Sequence, residues 1–308
     1  MMHKPQPMRM ALHKFSWIIL SQLLLISAAA AAAPHLVVGC TIPCGDMVTQ
    51  RVQHAAEGRG VTVEFIDLSQ AQNKAELREA LARVDAVISP GGDDINPHHY
   101  LEAVAPTDRA KVLEMDARLA QHPAETLGRD AFELEVRRLY FSDEHFRELP
   151  FLGICYGMQM LAVSQGLPLV VDIQAEFGIP NRYNVTDDAW FDRDSLAASV
   201  VGASDITATE SHHQAVDLRA FARIAPGAVF VTGLSNGGRI PEAIEFESRP
   251  LALGVQFHPE ASAVEVSDRM FGWLLDRARQ RIDLETQRAR SQAMRRRACE
   301  RFLLGSSN

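Results

Sequence analysis

Two short stretches of the sequence carry residue types suited to nucleophilic chemistry. One is Gly153-Ile154-Cys155-Tyr156-Gly157, behind the apolar Phe151-Leu152 and ahead of Met158-Gln159. The other is His258-Pro259-Glu260, at the end of the apolar run Leu251 to Phe257. A cysteine attacks as its thiolate, so it needs a base, and the base needs a third group to fix its tautomer. Cys155, His258 and Glu260 supply those three roles. Glycines two before and two after Cys155 permit a tight strand-to-helix turn that pushes the thiol outward. A helix starting just after Cys155 favours the thiolate and offers free backbone N–H groups to an oxyanion. Taken singly, Cys155 reads as a core cysteine and His258 as a surface histidine beside a turn. Each gains its meaning from the other.

Such a triad needs elements that bring its parts to one edge. Leu36–Thr41, Val61–Ile66, Val84–Ser89, Phe151–Ile154 and Leu167–Val171 read as short buried strands. Asp46 to Arg59, Lys74 to Arg83, Arg109 to Gln121, Gly128 to Leu139 and the stretch after Cys155 to Ser164 read as helices. This alternation predicts an α/β fold, a mostly parallel sheet covered by helices on both faces. Ala228–Thr232, Ala243–Phe246 and Ala252–Phe257 read as later strands, an antiparallel addition to that sheet. Gly272 to Arg301 reads as one long final helix or two, and the polar and aromatic Pro180 to Asp194 as a substrate-facing loop. The Gly91-Gly92 turn after the third strand allows close backbone approach.

The N-terminus reads as an address. Lys4, Arg9 and Lys14 precede the apolar Trp17 to Ile26, and Ala28 to Ala33 follow, which is the pattern of a secretory signal peptide. The expected organisation is a signal over residues 1–33, a hydrolase domain over 34–276 and an Arg-rich helical tail over 277–308. Export, to the periplasm, is the expectation, with an uncleaved membrane anchor as the alternative and lipidation at Cys40 as a weaker one. Among the four cysteines, Cys40 and Cys44 are close enough in sequence to pair, though a strand followed by a loop does not assure the geometry.

Hydrophobic residues make up 47% of the 308, enough to bury a core. Of the net charge of −8, the first 33 residues carry +3 and Arg277 to Arg301 carry +6, which leaves −17 for the body. So acidic a body argues against nucleic-acid binding. His98-His99 and His212-His213 match no zinc spacing, and no metal ligand set or cofactor motif is expected.

The Gly-Ile-Cys-Tyr-Gly and His-Pro-Glu motifs, in this order on an α/β pattern, resemble the class I glutamine amidotransferase superfamily. Ser89-Pro-Gly-Gly-Asp-Asp94-Ile-Asn-Pro97-His-His-Tyr100, Arg129-Asp130 with Glu133, and Ser211-His212-His213-Gln214 are similar to its γ-glutamyl-γ-aminobutyrate hydrolase-like branch. The resemblance spans roughly residues 35–275 and implies a flavodoxin-like, doubly wound sheet. It implies an oxyanion hole from the Gly92 and Tyr156 N–H groups. It also implies that Gln159 and the segment His212, His213 and Gln214 contact substrate. Thr209-Glu210 stands where that branch usually has Asn-Ser, and Gly166-Leu167-Pro168 replaces a more usual Gly-Gly.

The implied activity is cysteine-dependent hydrolysis of a small γ-glutamyl amide without a cofactor. The leaving amine is open between γ-aminobutyrate, other amines, peptides and poly-γ-glutamyl chains. The competing readings are a noncatalytic γ-glutamyl-binding protein and a glutaminase-type amidotransferase subunit. No stable membrane insertion after signal cleavage is expected, and a homodimer is left open.

Overall fold

The computed structural model describes residues 33–119, 124–223 and 228–305. The signal-peptide expectation falls on residues 1–33, all but the last of which lie outside the described residues. The N-terminal half alternates as its pattern predicts. It runs β1 (His35–Cys40), α1 (Asp46–Glu57), β2 (Thr62–Asp67), α2 (Lys74–Arg83), β3 (Ala86–Ser89), α3 (Arg109–Leu119), α4 (Ala124–Ser142), β4 (Phe151–Ile154) and α5 (Tyr156–Ser164). The second half is richer in strands. It runs β5 (Leu169–Val170), α6 (Ile173–Phe177), β6 (Arg182–Phe191), α7 (Leu196–Val201), β7 (Asp205–His212), β8 (Ala215–Val216), β9 (Val229–Ser235), β10 (Ile240–Phe246), β11 (Ala252–Val255) and α8 (Val264–Gly305).

Among the described residues, nine strands form one sheet in the order β2-β1-β3-β4-β11-β10-β9-β6-β7. The first five in that order are parallel and the remaining pairings antiparallel. β3, β4 and β11 are buried along their whole length, because helices cover both faces of the parallel half. One core layer packs α1, α7 and the first part of α8 against the sheet through Val52, Phe271 and Leu274. The other packs α2, α4 and α5 through Leu81, Tyr140 and Leu161. The direction in which strands are added reverses between β1 and β3, so a crevice opens at the carboxyl ends of the parallel strands. The fold is therefore α/β with helices on both faces, as the alternation predicts, and doubly wound, as the resemblance implies.

Three of the expected segments take a different form. Pro180 to Asp194 is not a loop; most of it is β6, the longest strand, paired with β7 and β9. Most of β6 is exposed, so no alternation of buried and polar positions marks it in the sequence. Leu167 to Val171 keeps only the two-residue β5, which pairs with β8 in a separate small sheet. The final helix begins at Val264 and runs unbroken to Gly305, exposed from Asp283 to Arg297, so the Arg-rich tail continues α8. Cys40 and Cys44 form a disulfide, their Cα atoms 5.6 Å apart, which resolves the pairing left open above.

Beneath the crevice lies a buried ion pair. Arg137 on α4 pairs with Glu133 one turn earlier, and neither is exposed at all. Arg137 also donates to Ser89 Oγ (2.6 Å) and Gly157 O (3.3 Å), while Thr41 donates to Glu133 (2.6 Å). The pair thus joins α4 to β3, α5 and the end of β1. Breaking such a pair strands an uncompensated charge. Arg137→Met should lower unfolding stability by about 3–5 kcal/mol in urea titrations; a loss within experimental error would show that the pair does not hold this junction.

Candidate active site

Cys155 lies between the last residue of β4 and the first of α5. Its backbone has φ +48° and ψ −103°, in the region that side chains other than glycine rarely occupy. The neighbouring contacts hold it there. Cys155 N donates to Val255 O on β11 (2.8 Å), and Cys155 O accepts the first helical bond of α5, from Gln159 N (3.0 Å). α5 also presses directly onto β3. A Cβ on Gly157 would come within 2.1 Å of Ser89 O, and one on Gly153 within 2.8 Å of Gly157 O. Both glycines are therefore required by close backbone approach.

His258 leaves the end of β11 and is placed by a backbone bond from its N–H to Thr209 O on β7 (2.7 Å). β7 is at the far end of the strand order, so the sheet curls enough to bring it back to the site. Ser262 Oγ donates to His258 O (2.7 Å) and accepts from Thr209 N (2.9 Å), tightening the same turn. His258 Nδ1 lies 2.7 Å from Glu260 Oε1, which fixes Nδ1 as the protonated nitrogen opposite a carboxylate. Its Nε2 is buried and meets no nitrogen or oxygen partner among the described residues, while the Cys155 thiol interacts with the same ring. Burial alone would lower the imidazole pKa, but Cys155 and Glu260 outweigh it and push it up to about 11. A Cβ on Gly91 would lie 2.8 Å from His258 Cε1, so this position, too, must be glycine to admit the ring.

Cys155 is 4% exposed. Gln256 Nε2 stands 3.4 Å from its sulfur and Ser211 O 3.9 Å from it. Gln256 is a site residue that sequence reasoning misses; its signal is a polar residue interrupting an apolar strand two positions before His258. Its Oε1 in turn accepts from Gln159 Nε2 (3.2 Å), which also donates to Gln214 O (3.0 Å). The Gln159 amide hydrogens are thus directed at protein.

A cleft of about 270 Å³ opens above Cys155, bounded by Gly92, Asp94, Gln159, Tyr183, His213 and Gln214. Gly92 meets Cys155 across this cleft, and Tyr156, as the first residue of α5, has an N–H outside the helical ladder. The loop bearing Gly92 is braced from α4. Arg129 donates to Asp93 O and Asp94 O (3.1 and 3.0 Å), Asp130 accepts from Asn96 N (2.9 Å), and Tyr156 Oη donates to Asp130 (2.9 Å). The Arg129 guanidinium stacks 4.3 Å above the Tyr156 ring.

The three residues of the His212–Gln214 segment differ in what they offer. His213 is bound by both Asp94 oxygens (2.9 Å each); burial opposes its charge, but Asp94 and then Asp172 hold its pKa above the usual value. Gln214 accepts from Ile95 N (3.2 Å) and leaves its amide Nε2 without a partner. His212 lines the cleft, yet both its ring nitrogens lie against internal acceptors, Gln214 O and Glu210, at 2.9 Å. The structure thus brings Cys155, His258, Glu260, Gly92, Tyr156, Gln159, His213 and Gln214 to one edge, with His212 turned inward.

A folded-state pKa above the ordinary 6.5 means that the His258 contacts stabilise fully below about 6.5 and lose their effect as the pH rises through about 11. An NMR titration should find His258 still protonated at neutral pH in the wild type and a lower midpoint in Cys155→Ala. A wild-type midpoint near 6.5 would show that thiol and carboxylate do not hold the proton.

Comparison with known proteins identifies the fold and the family. The glutaminase domain of a Trypanosoma brucei CTPS with bound acivicin superposes with a TM-score of 0.58 at 14% identity, covering 80% of this chain and 94% of that one. A GMP synthase protein from Thermoplasma acidophilum gives 0.52 at 16% identity, covering 82% and 98%. At such identities the likeness concerns the fold. In sequence, the CTP synthase of Hyphomonas neptunium is 30% identical over 146 residues, 37% of this chain and 27% of that protein. That of Rhizorhabdus wittichii is 26% identical over 164 residues, 43% and 30% respectively. The chain therefore spans under a third of the length of these relatives. The Peptidase C26 model matches residues 44–260, more than half of the chain and every residue of the site. The chain belongs to the Peptidase C26 family and has the class I glutamine amidotransferase fold.

Proposed function

We propose that the chain hydrolyses γ-glutamyl amides through a thioester on Cys155. The Cys155 thiolate adds to the γ-carbonyl carbon, and the carbonyl π pair moves onto oxygen. The Gly92 and Tyr156 N–H groups hold that oxyanion. As the C–N bond breaks, imidazolium His258 gives its Nε2 proton to the leaving nitrogen. A water then passes a proton to His258 while its oxygen adds to the thioester. Collapse expels the Cys155 thiolate and frees glutamate. Glu260 keeps the ring in the tautomer both steps need.

The single observation that carries this reading is a strained cysteine interacting with a histidine whose Nδ1 is bonded to Glu260 and whose Nε2 has no other partner among the described residues. The cleft suits a small substrate: a glutamyl group fits about 270 Å³, and a folded protein segment does not. Gln159, His213 and Gln214 stand where the glutamyl end would lie. His212 acts through the wall rather than by a free ring nitrogen. The Cys40–Cys44 disulfide supports export to an oxidising compartment, in line with the signal-like N-terminus. A second reading, a glutaminase feeding ammonia to a synthetase, is favoured by the similarity to CTP synthases and to a CTPS glutaminase domain.

The test is glutamate release from a panel of γ-glutamyl amines, γ-glutamyl peptides and glutamine. Turnover of γ-glutamyl amines or peptides well above that of glutamine, falling by at least about 10³-fold in Cys155→Ala, is expected. Glutamine as the fastest substrate would favour the glutaminase reading, and Cys155→Ala with full activity would overturn both.

A further inference from the structure

Behind the cleft wall sits a second cluster that the proposed chemistry does not use. Glu210 on β7, His212 two residues later and Glu242 on β10 each offer one ligand atom, and these atoms lie within 4.8 Å of one another. Glu210 and Glu242 are fully buried, and His212 is 5% exposed. Among the described residues, no Lys or Arg side chain is hydrogen-bonded or ion-paired to the cluster. His212 Nδ1 lies 2.9 Å from Gln214 O, which can only accept, so Nδ1 carries a hydrogen. Nε2 faces Glu210 Oε2 at 2.9 Å, another acceptor, so this contact needs either a second hydrogen on the ring or a metal ion in that hydrogen's place. Glu242 Oε1 takes the Ser235 hydroxyl (2.7 Å), while Glu242 Oε2 and Glu210 Oε1 meet no donor from any other described residue and the two carboxyl groups lie against each other. Arg182, opposite His212 on β6, directs its guanidinium to Asp187 and Asn236.

Buried carboxylates need a cation or bound hydrogen to remain inside a protein. We propose that Glu210, His212 and Glu242 hold one divalent metal ion of the zinc type. One imidazole nitrogen and two carboxylate oxygens are ligands that zinc accepts, and two carboxylates cancel its charge. The surroundings match. A ligating histidine usually donates its other ring N–H to a carbonyl or carboxylate, as His212 Nδ1 does to Gln214 O. The Ser235 hydroxyl holds Glu242 in the same manner. The ion ties β7 to β10. Between two of its ligands lies Ser211, whose carbonyl is 3.9 Å from the Cys155 sulfur, so the ion fixes the wall of the cleft without entering the reaction. The sequence hides this set because Glu242 comes from a different strand.

The test is zinc binding by the full chain after chelator treatment. The protein is dialysed against zinc sulfate, its metal content is measured by mass spectrometry, and its melting temperature is read with and without the ion. The expected result is one equivalent bound by wild type and by Cys155→Ala, with a raised melting temperature. Glu210→Gln and Glu242→Gln, each isosteric, should weaken binding by at least about tenfold and lose the temperature shift. Either variant alone suffices if the other does not fold, as circular dichroism will show. No stoichiometric zinc in the wild type, zinc lost in Cys155→Ala, or zinc retained by the folded glutamine variants would overturn the proposal.

Discussion

The site depends on one close approach, that of α5 to β3 at Gly157 and Ser89. There is no room for a side chain at that point. Because α5 can sit so low, the chain must reverse within a single residue at the end of β4, and that residue is Cys155 with its positive φ. The cost of such a conformation, of order 1–3 kcal/mol, has to be offset nearby. At this junction Arg137, paired with Glu133, binds the Ser89 hydroxyl and the Gly157 carbonyl together. A thiol turned toward the cleft is thus a consequence of helix–strand packing, with the charge network of α4 beneath it.

The rest of the site is assembled by the curl of the sheet. The parallel strands β3, β4 and β11 bring Gly92, Cys155 and His258 to one edge by fold class alone. The antiparallel strands return β7 to that edge, where Thr209 receives the His258 N–H and Ser211 to Gln214 form the opposite wall. Two carboxylates from α4 and the loop after β3, Asp130 and Asp94, then hold that loop and His213 in place. Buried polar groups of this kind stiffen a site only when nearly all are satisfied. Among the buried atoms without a partner, those on His258, Gln214, Glu210 and Glu242 lie at the cleft or in the cluster behind it, where chemistry or a ligand is to be sought.

What could be read in the sequence follows from how local each signal is. Phe151–Ile154 and Lys74–Arg83 have the same limits in the sequence reading and in the structure, because an apolar run or an Asn73 cap defines each end locally. The elbow around Cys155 and the His258-Pro-Glu260 turn are legible for the same reason. β6 is not, since it is exposed along most of its length and rich in Asp and Asn, which favour turns. β7 escapes with it, as its pairing partner is β6. Gln256 beside the thiol, Arg137 beneath it and the meeting of Glu210 with Glu242 are products of tertiary contact, with no spacing in the chain to announce them.

The central claim is that Cys155 becomes acylated during turnover. Acid quenching of the mature protein seconds after mixing with a γ-glutamyl amide, followed by peptide mass spectrometry, tests it directly. The account predicts a glutamyl group on the peptide containing Cys155, lost on longer incubation and absent from Cys155→Ser at the same position as a thioester. Steady glutamate release with no acyl group on Cys155, or with the group on another residue, would contradict it.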